Sequence, residues 1–337
     1  MKFVSFIKDQ KVRVGLYIND KIYDLAENGK AIGQQIPSSM LELLWHEESG
    51  MDAARKIEDA IKSDKTAITA DKIRMLAPIP NPPSCRDAYA FRQHVATARR
   101  NRGVDMIPEF DMYPIFYFTN HNAIYGEGDI LIEDDHLQKL DFELEAAIVV
   151  GKRGKNISSK NADQYIAGYT IMNDLSARVL QMEEMKLNLG PAKGKDFATV
   201  IGPRMVTPDE LDKYKIETEF GNKYDLTMKA FHNGKQISEG NMKDMNWTFA
   251  EILERASYGT EIYPGDVIGS GTVGTGCYLE LNGTWTLEAK AKGEKHNPVW
   301  LQNGDTIEMT IDGLGKLSNK IVKSTESNSI LAKKKKA

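Results

Sequence analysis

Two glutamates separated by one residue, Glu143 and Glu145, stand in an otherwise apolar stretch of the chain. Residues two apart in a β-strand project from the same face, so these carboxylates would lie side by side. Adjacent carboxylates are costly to bury unless a cation neutralises them, and an all-oxygen pair suits a hard ion such as Mg²⁺, Ca²⁺ or Mn²⁺. The alternative is a half-buried strand with its acidic face in water. The following apolar residues 148–150 favour burial on both faces, and therefore a metal site.

A second group of polar residues lies in the segment 171–185, which is predicted to be the end of a strand followed by a helix. Asp174, Arg178, Gln181 and Met185 are spaced by four, three and four residues, which is the spacing of one helical face. Such a face would offer one metal ligand and two hydrogen-bond donors. The alternative is a helix that Asp174 caps and whose polar face is exposed.

A histidine, His94, follows Asp87 in a segment where Asp87, Phe91 and His94 share one face if the segment is helical. An imidazole close to an acid can act as a general base at neutral pH. The alternative is a histidine at the surface or at the edge of the core. Gly103 is predicted to end the helix, after three exposed arginines at positions 99, 100 and 102.

The segment 190–199 is a loop broken by glycine and proline that carries Lys193 and Lys195. It lacks the spacing of a Walker phosphate-binding motif. Lys195 can stabilise a developing oxyanion, and the alternative is a solvated loop lysine.

Four prolines between residues 78 and 83 predict a linker and a domain boundary. Before it, residues 1–75 are predicted to form a small α+β domain, with a hairpin at 12–25 around Asn19-Asp20 and helices around 40–44 and 53–57. After it, residues 76–323 are predicted to form a larger β-rich α+β domain, a mixed roll, sandwich or barrel. Its predicted strands include a hairpin at 277–287 around Asn282-Gly283 and the strand 306–311.

Composition and charge exclude several classes of protein. With 41% hydrophobic and 27% charged residues the 337-residue chain is ordinary for a globular protein, and a net charge of -4 disfavours a nucleic-acid partner. Cys85 and Cys277 are far apart, which suggests neither a disulfide framework nor a thiolate zinc site. No signal-peptide pattern or membrane-length apolar run is found, so a cytoplasmic location without a membrane partner is expected. The lysine-rich tail 324–337 is predicted to be disordered.

Together these segments resemble the fumarylacetoacetate hydrolase superfamily. The resemblance is carried by the sequences Asp141-Phe142-Glu143-Leu144-Glu145, Asn173-Asp174-Leu175-Ser176-Ala177-Arg178, Arg92-Gln93-His94 after Asp87, and the glycine-rich segment 265–272. It extends from the proline junction to about residue 323.

The resemblance implies a site, residue by residue. The metal ligands would be Asp87, Glu143, Glu145 and Asp174. The pair that activates water would be His94 and Glu280, with Glu280 on a strand of the hairpin 277–287. Developing negative charge would be bound by Arg178, Gln181 and Lys195. The substrate contacts would be Tyr89 and Thr272, and Thr199 would lie near the metal. The family also implies a mixed β-roll and, usually, a homodimer.

The implied reaction is the metal-dependent hydrolysis of a carbon–carbon bond in a β-diketo acid, such as a fumarylacetoacetate- or acylpyruvate-like intermediate of aromatic catabolism, with a metal-stabilised enolate. The alternative at the same site is a decarboxylase, isomerase or hydratase acting on a related 2-oxo acid. A different class would be a non-catalytic, Ca²⁺-stabilised protein that binds small acids. Met185 stands where fumarylacetoacetase has a substrate-contacting tyrosine, and 109–125 lacks a lysine of many smaller members, so a different substrate pocket is expected.

Overall fold

The computed structural model describes residues 1–69, 73–326 and 328–333 and confirms a β-rich α+β fold. The N-terminal part contains β1 (Lys2–Lys8), β2 (Lys11–Ile18), β3 (Lys21–Asp24), α1 (Leu25–Ala31), α2 (Met40–Trp45), α3 (Glu47–Ala60), β4 (Ala67–Thr69) and β5 (Arg74–Leu76). Asn19 and Asp20 both have positive φ, which matches the twist of a tight hairpin, and the predicted hairpin is confirmed as β2–β3.

Most of the candidate site residues lie on elements that follow the proline segment. They are β6 (Cys85–Ala88), α4 (Arg92–Asn101), β7 (Phe116–Thr119), β8 (Ile124–Tyr125), β9 (Gly128–Ile132), α5 (Asp134–Leu137), β10 (Leu140–Asp141), β11 (Leu144–Val150), β12 (Gly154–Lys155), α6 (Ser159–Ala162), β13 (Ile166–Asp174), β14 (Ser176–Ala177) and α7 (Arg178–Met185).

The C-terminal half completes the fold. It contains β15 (Thr199–Val206), β16 (Lys215–Thr218), β17 (Gly221–Tyr224), β18 (Thr227–His232), β19 (Lys235–Asn241), α8 (Phe249–Ser257), β20 (Glu261–Ile262), β21 (Val267–Gly269), α9 (Tyr278–Ala291), β22 (Thr306–Ile311) and β23 (Gly315–Lys323). Short 3-10 helices lie at Asp64–Thr66, Pro108–Asp111, Asp163–Tyr165, Pro208–Tyr214, Met242–Asp244 and Leu331–Lys333.

Two larger sheets organise the described residues. A 12-stranded sheet has the order β4-β3-β2-β1-β15-β13-β11-β21-β6-β7, with β5 paired to β1 and β8 to β15. A five-stranded sheet has the order β19-β18-β22-β23-β9. The pairing of β1 with β15 makes the N-terminal strands continuous with the strands that follow the proline segment.

Strand β11 lies in the middle of the core and shows why its sequence is almost entirely apolar. Ala146, Ile148 and Val150 pack in the cluster shared with the five-stranded sheet, whereas Ala147 and Val149 pack against the N-terminal helices. Burial on both faces explains the absence of the polar alternation of a surface strand. A carboxylate on this strand is therefore removed from water.

Two further expectations concern membrane-spanning helices and the C-terminal tail. None of the helices in the described residues is long and apolar enough to cross a membrane. Residues 327 and 334–337 of the tail predicted to be disordered lie outside the described residues. In its described part, Ser329 and the backbone N–H groups of Ile330 and Leu331 donate hydrogen bonds to the buried carboxylate of Asp135.

Candidate active site

A cluster of three buried acids lies where β6, β11 and β21 run side by side. Strand β21 pairs with β11 on one side and with β6 on the other, which brings Asp87 of β6 next to Glu145 of β11. Glu143 directly precedes β11. Asp87, Glu143 and Glu145 each place a carboxylate oxygen within 4.8 Å of the other two. The two glutamates are thus close together, although Glu143 lies just outside the strand in which it was expected, and Asp87 lies beside them as the family resemblance implies.

The close approach of these acids depends on a glycine at the end of β21. A Cβ on Gly269 would lie 2.6 Å from Asp87 Oδ1 and 2.9 Å from Glu145 Oε2, closer than side chains tolerate. Next along the chain, the backbone N–H of Gly271 donates to Asp87 Oδ1 at 3.1 Å. In the glycine-rich segment 265–272, the backbone at Gly269 therefore lies directly against the acids, and only a residue without a side chain fits at that position.

The fourth predicted metal ligand, Asp174, is joined to the cluster through Lys195. The ammonium Nζ of Lys195 lies 2.5 Å from Glu143 Oε2 and 2.8 Å from Asp174 Oδ2. Tyr117 donates a hydrogen bond to the same Asp174 oxygen. Both Lys195 and Asp174 are buried, which contradicts the alternative of a solvated loop lysine, whereas Lys193 is exposed.

Arg178 lies at the start of α7 and points its guanidinium at the acids. It donates to Glu143 Oε1 at 2.8 Å, to Asp141 Oδ2 at 2.8 Å and to Gln181 Oε1 at 2.9 Å. Asp174 belongs to strand β13, so the expectation that it shares a helical face with Arg178, or caps the helix, is wrong. The short connection from β13 through β14 to α7 brings the two residues to one site instead.

His94 and Glu280 form a buried pair at the junction of two helices. His94 Nδ1 lies 2.6 Å from Glu280 Oε2, and Glu280 Oε1 accepts a hydrogen bond from the backbone of Thr275. His94 comes from the first turn of α4. Asp87 lies in β6, so the two are not on one helix as considered from the sequence.

The position of Glu280 corrects a second expectation. The segment 277–287 is not a hairpin: Glu280 lies in the first turn of α9, a helix of 14 residues. Helix α4 packs on α9, and Asn101 Nδ2 donates to the backbone carbonyl of Glu280. The predicted partnership of His94 and Glu280 is therefore present, but packing between helices produces it.

The remaining predicted residues surround this centre. Tyr89 makes an edge contact with His94, with ring centroids 6.0 Å apart. Thr272 Oγ1 lies 3.4 Å from Glu145 Oε1, and Thr199 is buried against Thr119. Met185 is about half exposed at the end of α7.

Sequence reasoning gave no role to Asp141, Tyr117 or Cys277. Asp141 begins the quoted Asp-Phe-Glu-Leu-Glu sequence and is fully buried, so its place in that motif was a signal. Tyr117 lies in β7, whose pairing with β6 aligns it with Asp87. Cys277 has no local sequence signal, because the group it belongs to is completed by His94, which lies far away in the chain.

Burial and like charges raise the pKa values of most of these acids. Burial, and then the charge of Asp174, raise the pKa of Asp87 to about 7. Burial and the charge of Asp87 raise the pKa of Glu145 well above its usual range, and burial raises the pKa of Asp174 despite Lys195. For Glu143 burial is outweighed by Lys195 and Arg178, which lower its pKa to about 2.

The donor set fits a hard divalent cation. Among the described residues, the buried Glu145 Oε2 and Asp174 Oδ1 have no hydrogen-bond partner. Buried carboxylate oxygens without donors are costly, and a cation satisfies them. The cluster contains only oxygen ligands, which suit Mg²⁺, Ca²⁺ or Mn²⁺.

A cluster of buried acids that could hold a divalent metal ion thus lies beside an imidazole–carboxylate pair on a β-rich α+β fold. The family model for the fumarylacetoacetate (FAA) hydrolase C-terminal domain matches residues 84–322, and the chain belongs to this family.

Three proteins of known name resemble this chain over most of its length. Oxaloacetate tautomerase YisK of Bacillus subtilis (strain 168) is 28% identical over 335 residues, covering 95% of this chain and all of that protein. The fumarylacetoacetate hydrolase EaFAH from Exiguobacterium antarcticum superposes with a TM-score of 0.68 at 25% identity, over 96% of this chain and 100% of that one. Maleylpyruvate hydrolase from Sphingobium sp. SYK-6, in complex with manganese (II) ion and pyruvate, shares the fold at 20% identity, with a TM-score of 0.67 and the same coverage. The proteins that this chain is similar to thus include a tautomerase as well as hydrolases.

Proposed function

We propose that this protein is a divalent-metal-dependent tautomerase that interconverts the enol and keto forms of a small 2-oxo dicarboxylic acid such as oxaloacetate. The observation that carries the proposal is the buried His94–Glu280 pair, at 2.6 Å, beside the cluster of acids. Similarity over the whole length of an oxaloacetate tautomerase supports the same reaction.

The residues proposed to hold the cation are Asp87, Glu143 and Glu145, with Asp174 as the fourth ligand through its unpartnered Oδ1. When bound, the cation would supply positive charge for the carboxylate and keto oxygens of a 2-oxo acid. Mg²⁺, Mn²⁺ and Ca²⁺ all suit this set of oxygens.

His94 is proposed to move the proton. Its Nδ1 faces Glu280, which fixes the orientation of the ring and leaves Nε2 for the substrate. Glu280 also stabilises the imidazolium that forms when His94 takes a proton from the carbon next to the keto group. Tautomerisation needs one proton removed and one returned, so a single base with a fixed orientation is sufficient.

Lys195 and Arg178 are proposed to stabilise the negative charge that develops on the substrate oxygen. Both are buried, and both already donate to Glu143, so their positive charges are fixed at the site before substrate binds. Fixed cationic donors in a dry site stabilise developing charge without reorganising.

The second candidate is the hydrolysis of a carbon–carbon bond in a β-diketo acid. It is favoured by the same His94–Glu280 pair, because an imidazole oriented by a carboxylate can equally deprotonate a water molecule. The two reactions differ in their products: hydrolysis consumes water and gives two acids, whereas tautomerisation gives one isomer.

Two parallel assays distinguish the candidates. The full chain is assayed in the presence of Mg²⁺ or Mn²⁺. In the first assay, the decay of the absorbance of enol-oxaloacetate measures tautomerisation. In the second, the release of pyruvate from acetylpyruvate measures hydrolysis. We expect faster enol decay without pyruvate release. Pyruvate release with no effect on the enol would overturn the tautomerase in favour of the hydrolase.

A substitution tests the role of the base. His94→Ala should abolish turnover yet leave Mn²⁺ affinity nearly unchanged, because His94 is outside the acid cluster. His121→Ala, in an exposed turn, is the control and should behave as wild type. Full turnover by His94→Ala would remove His94 from the mechanism.

The homodimer that the family resemblance implies is a separate proposal. Light scattering on the purified protein tests it.

A further inference from the structure

Cys277 is a buried thiol that the proposed reaction does not use. It directly precedes α9, three residues before Glu280, so both side chains lie at the N-terminal end of the same helix. His94, from α4, completes the group. One ligand atom of each of these three residues lies within 4.8 Å of the other two.

The chemistry of this trio differs from that of the acid cluster. A thiolate, an imidazole and a carboxylate are the ligands that proteins use for Zn²⁺, and three of them leave a fourth position open. The cluster of Asp87, Glu143 and Glu145 offers oxygen only, which suits hard ions. The two groups would therefore select different metals.

We propose that His94, Cys277 and Glu280 form a second metal site, selective for Zn²⁺, whose occupation inhibits the enzyme. Binding itself follows from the three residues alone. Inhibition rests on the proposed function, because the bound ion would engage the imidazole and carboxylate that transfer the proton.

The geometry requires only small shifts of the three ligand atoms. Zinc–ligand bonds of about 2.0–2.3 Å place the ligands of one ion about 3.4–3.7 Å apart. On binding, the Cys277 thiol would release its proton to solvent and the His94–Glu280 contact of 2.6 Å would open slightly to admit the ion. Burial and the charge of Asp141 raise the pKa of the Cys277 thiol well above its usual range, so the incoming ion would have to displace this proton.

Binding is tested with Co²⁺, which replaces zinc and reports thiolate ligation through a sulfur-to-metal charge-transfer absorption. The full chain is titrated with Co²⁺ in a large excess of Mg²⁺, so that the acid cluster is occupied by the hard ion. We expect one equivalent of Co²⁺ to give the thiolate band, and Zn²⁺ to remove it. No thiolate band at any Co²⁺ concentration would overturn the proposal.

Substitutions assign the ligands. Cys277→Ser should lose the band, whereas Cys85→Ser, which alters the other buried cysteine, should keep it. His94→Gln should keep the band but weaken Co²⁺ binding by about tenfold or more, since one ligand is lost. If Cys277→Ser does not fold, the wild-type protein gives the same answer, because bound Zn²⁺ should protect the Cys277 thiol from alkylation. A band that persists in folded Cys277→Ser would contradict the site.

The inhibition experiment separates this inference from the proposed function. In excess Mg²⁺, micromolar Zn²⁺ should inhibit enol decay by the wild type, and Cys277→Ser should need at least about tenfold more Zn²⁺ for the same inhibition. Equal sensitivity of the two proteins would overturn inhibition through this site. If oxaloacetate is not turned over at all, the proposed function fails, while the Co²⁺ band still decides the metal site.

Discussion

Asp141 and Arg178 form a buried ion pair that connects the two halves of the site. Arg178 Nε donates to Asp141 Oδ2 at 2.8 Å, while another nitrogen of the same guanidinium reaches Glu143 in the acid cluster. The carboxylate of Asp141 also accepts hydrogen bonds from the backbone of Tyr278 and Leu279, at the start of α9. One carboxylate therefore fixes both the guanidinium at the acids and the helix that carries Glu280.

Replacing Asp141 by asparagine should destabilise the protein and reduce turnover. The substitution leaves the buried guanidinium with Glu143 as its remaining counter-ion, and breaking a buried ion pair in this way costs up to about 3–5 kcal/mol. Turnover should fall as well, because Arg178 and α9 lose a common anchor. Urea unfolding and the enol-decay assay measure the two effects.

The matched control for Asp141 is Asp111→Asn. Asp111 also receives two hydrogen bonds from one arginine, Arg92, but the side chains of both residues are 46% exposed, against 0% for Asp141. Solvent screens this surface pair, so little change in stability is expected. Equal losses in the two variants would contradict the anchoring role of Asp141.

Gly269→Ala should weaken metal binding. The added methyl would lie 2.6 Å from Asp87 Oδ1, 2.8 Å from Met172 Sδ and 2.9 Å from Glu145 Oε2, so these side chains must shift and the acids move apart. We expect Mn²⁺ affinity, measured by calorimetry, to fall by about tenfold or more, as expected for overpacking that costs 1–3 kcal/mol. Gly190→Ala, whose Cβ would have no described neighbour within 3.3 Å, is the control. Unchanged Mn²⁺ affinity in Gly269→Ala would show that the glycine does not shape the cluster.

Much of the local structure could be predicted because short-range signals determine it. The hairpin around Asn19-Asp20 and the strand Thr306–Ile311 were found where expected, since turn residues and alternation act over a few positions. The acid pair Glu143 and Glu145 was recognised for the same reason.

The error at α9 shows what local signals miss. Asn282-Gly283 between alternating residues is typical of a hairpin, yet both positions serve contacts with distant segments. A Cβ on Gly283 would lie 2.5 Å from Asn101 of α4, so the glycine permits the two helices to approach. Asn282 exchanges hydrogen bonds with the backbone of Val299. These contacts bring Glu280 next to His94, and no sequence pattern within α9 indicates them.

Metal-induced stabilisation should increase with pH. The pKa of Asp87 is raised from 3.8 in the unfolded chain to about 7 in the folded protein, so the folded state binds the extra proton between these values. The stability that this proton contributes is fully present below about pH 4 and is lost as the pH rises to about 7. Glu145 acts in the same direction. A cation competes with these protons, so it binds better at higher pH.

Thermal unfolding checks this dependence. The difference in melting temperature between protein with Mn²⁺ and protein with chelator should be larger at pH 8 than at pH 5.5. The Asp87→Asn variant, which cannot release this proton, should show a weaker increase. A difference that is the same at both pH values would show that the acids do not exchange protons for the cation.

Lys195→Met should bind a divalent cation more tightly and yet turn over more slowly. Lys195 Nζ lies between Glu143 and Asp174, at 2.5 and 2.8 Å, where it neutralises two of the proposed ligands. Its removal leaves buried carboxylates that need a positive charge, so the free energy of cation binding should become more favourable. The substrate, however, loses a fixed donor for its developing charge, and a fall in kcat of about 100-fold or more is expected.

Calorimetry with Mn²⁺ and the kcat of enol decay give the two readouts for Lys195. Lys193→Met is the matched control: Lys193 lies in the same loop but is exposed and pairs with Asp196, so neither readout should change. A purely structural role for Lys195 would weaken cation binding and slow turnover together, because the loop would lose its place against the acids. Tighter binding combined with slower turnover is therefore the result that distinguishes a charge at the reacting site from a structural contact.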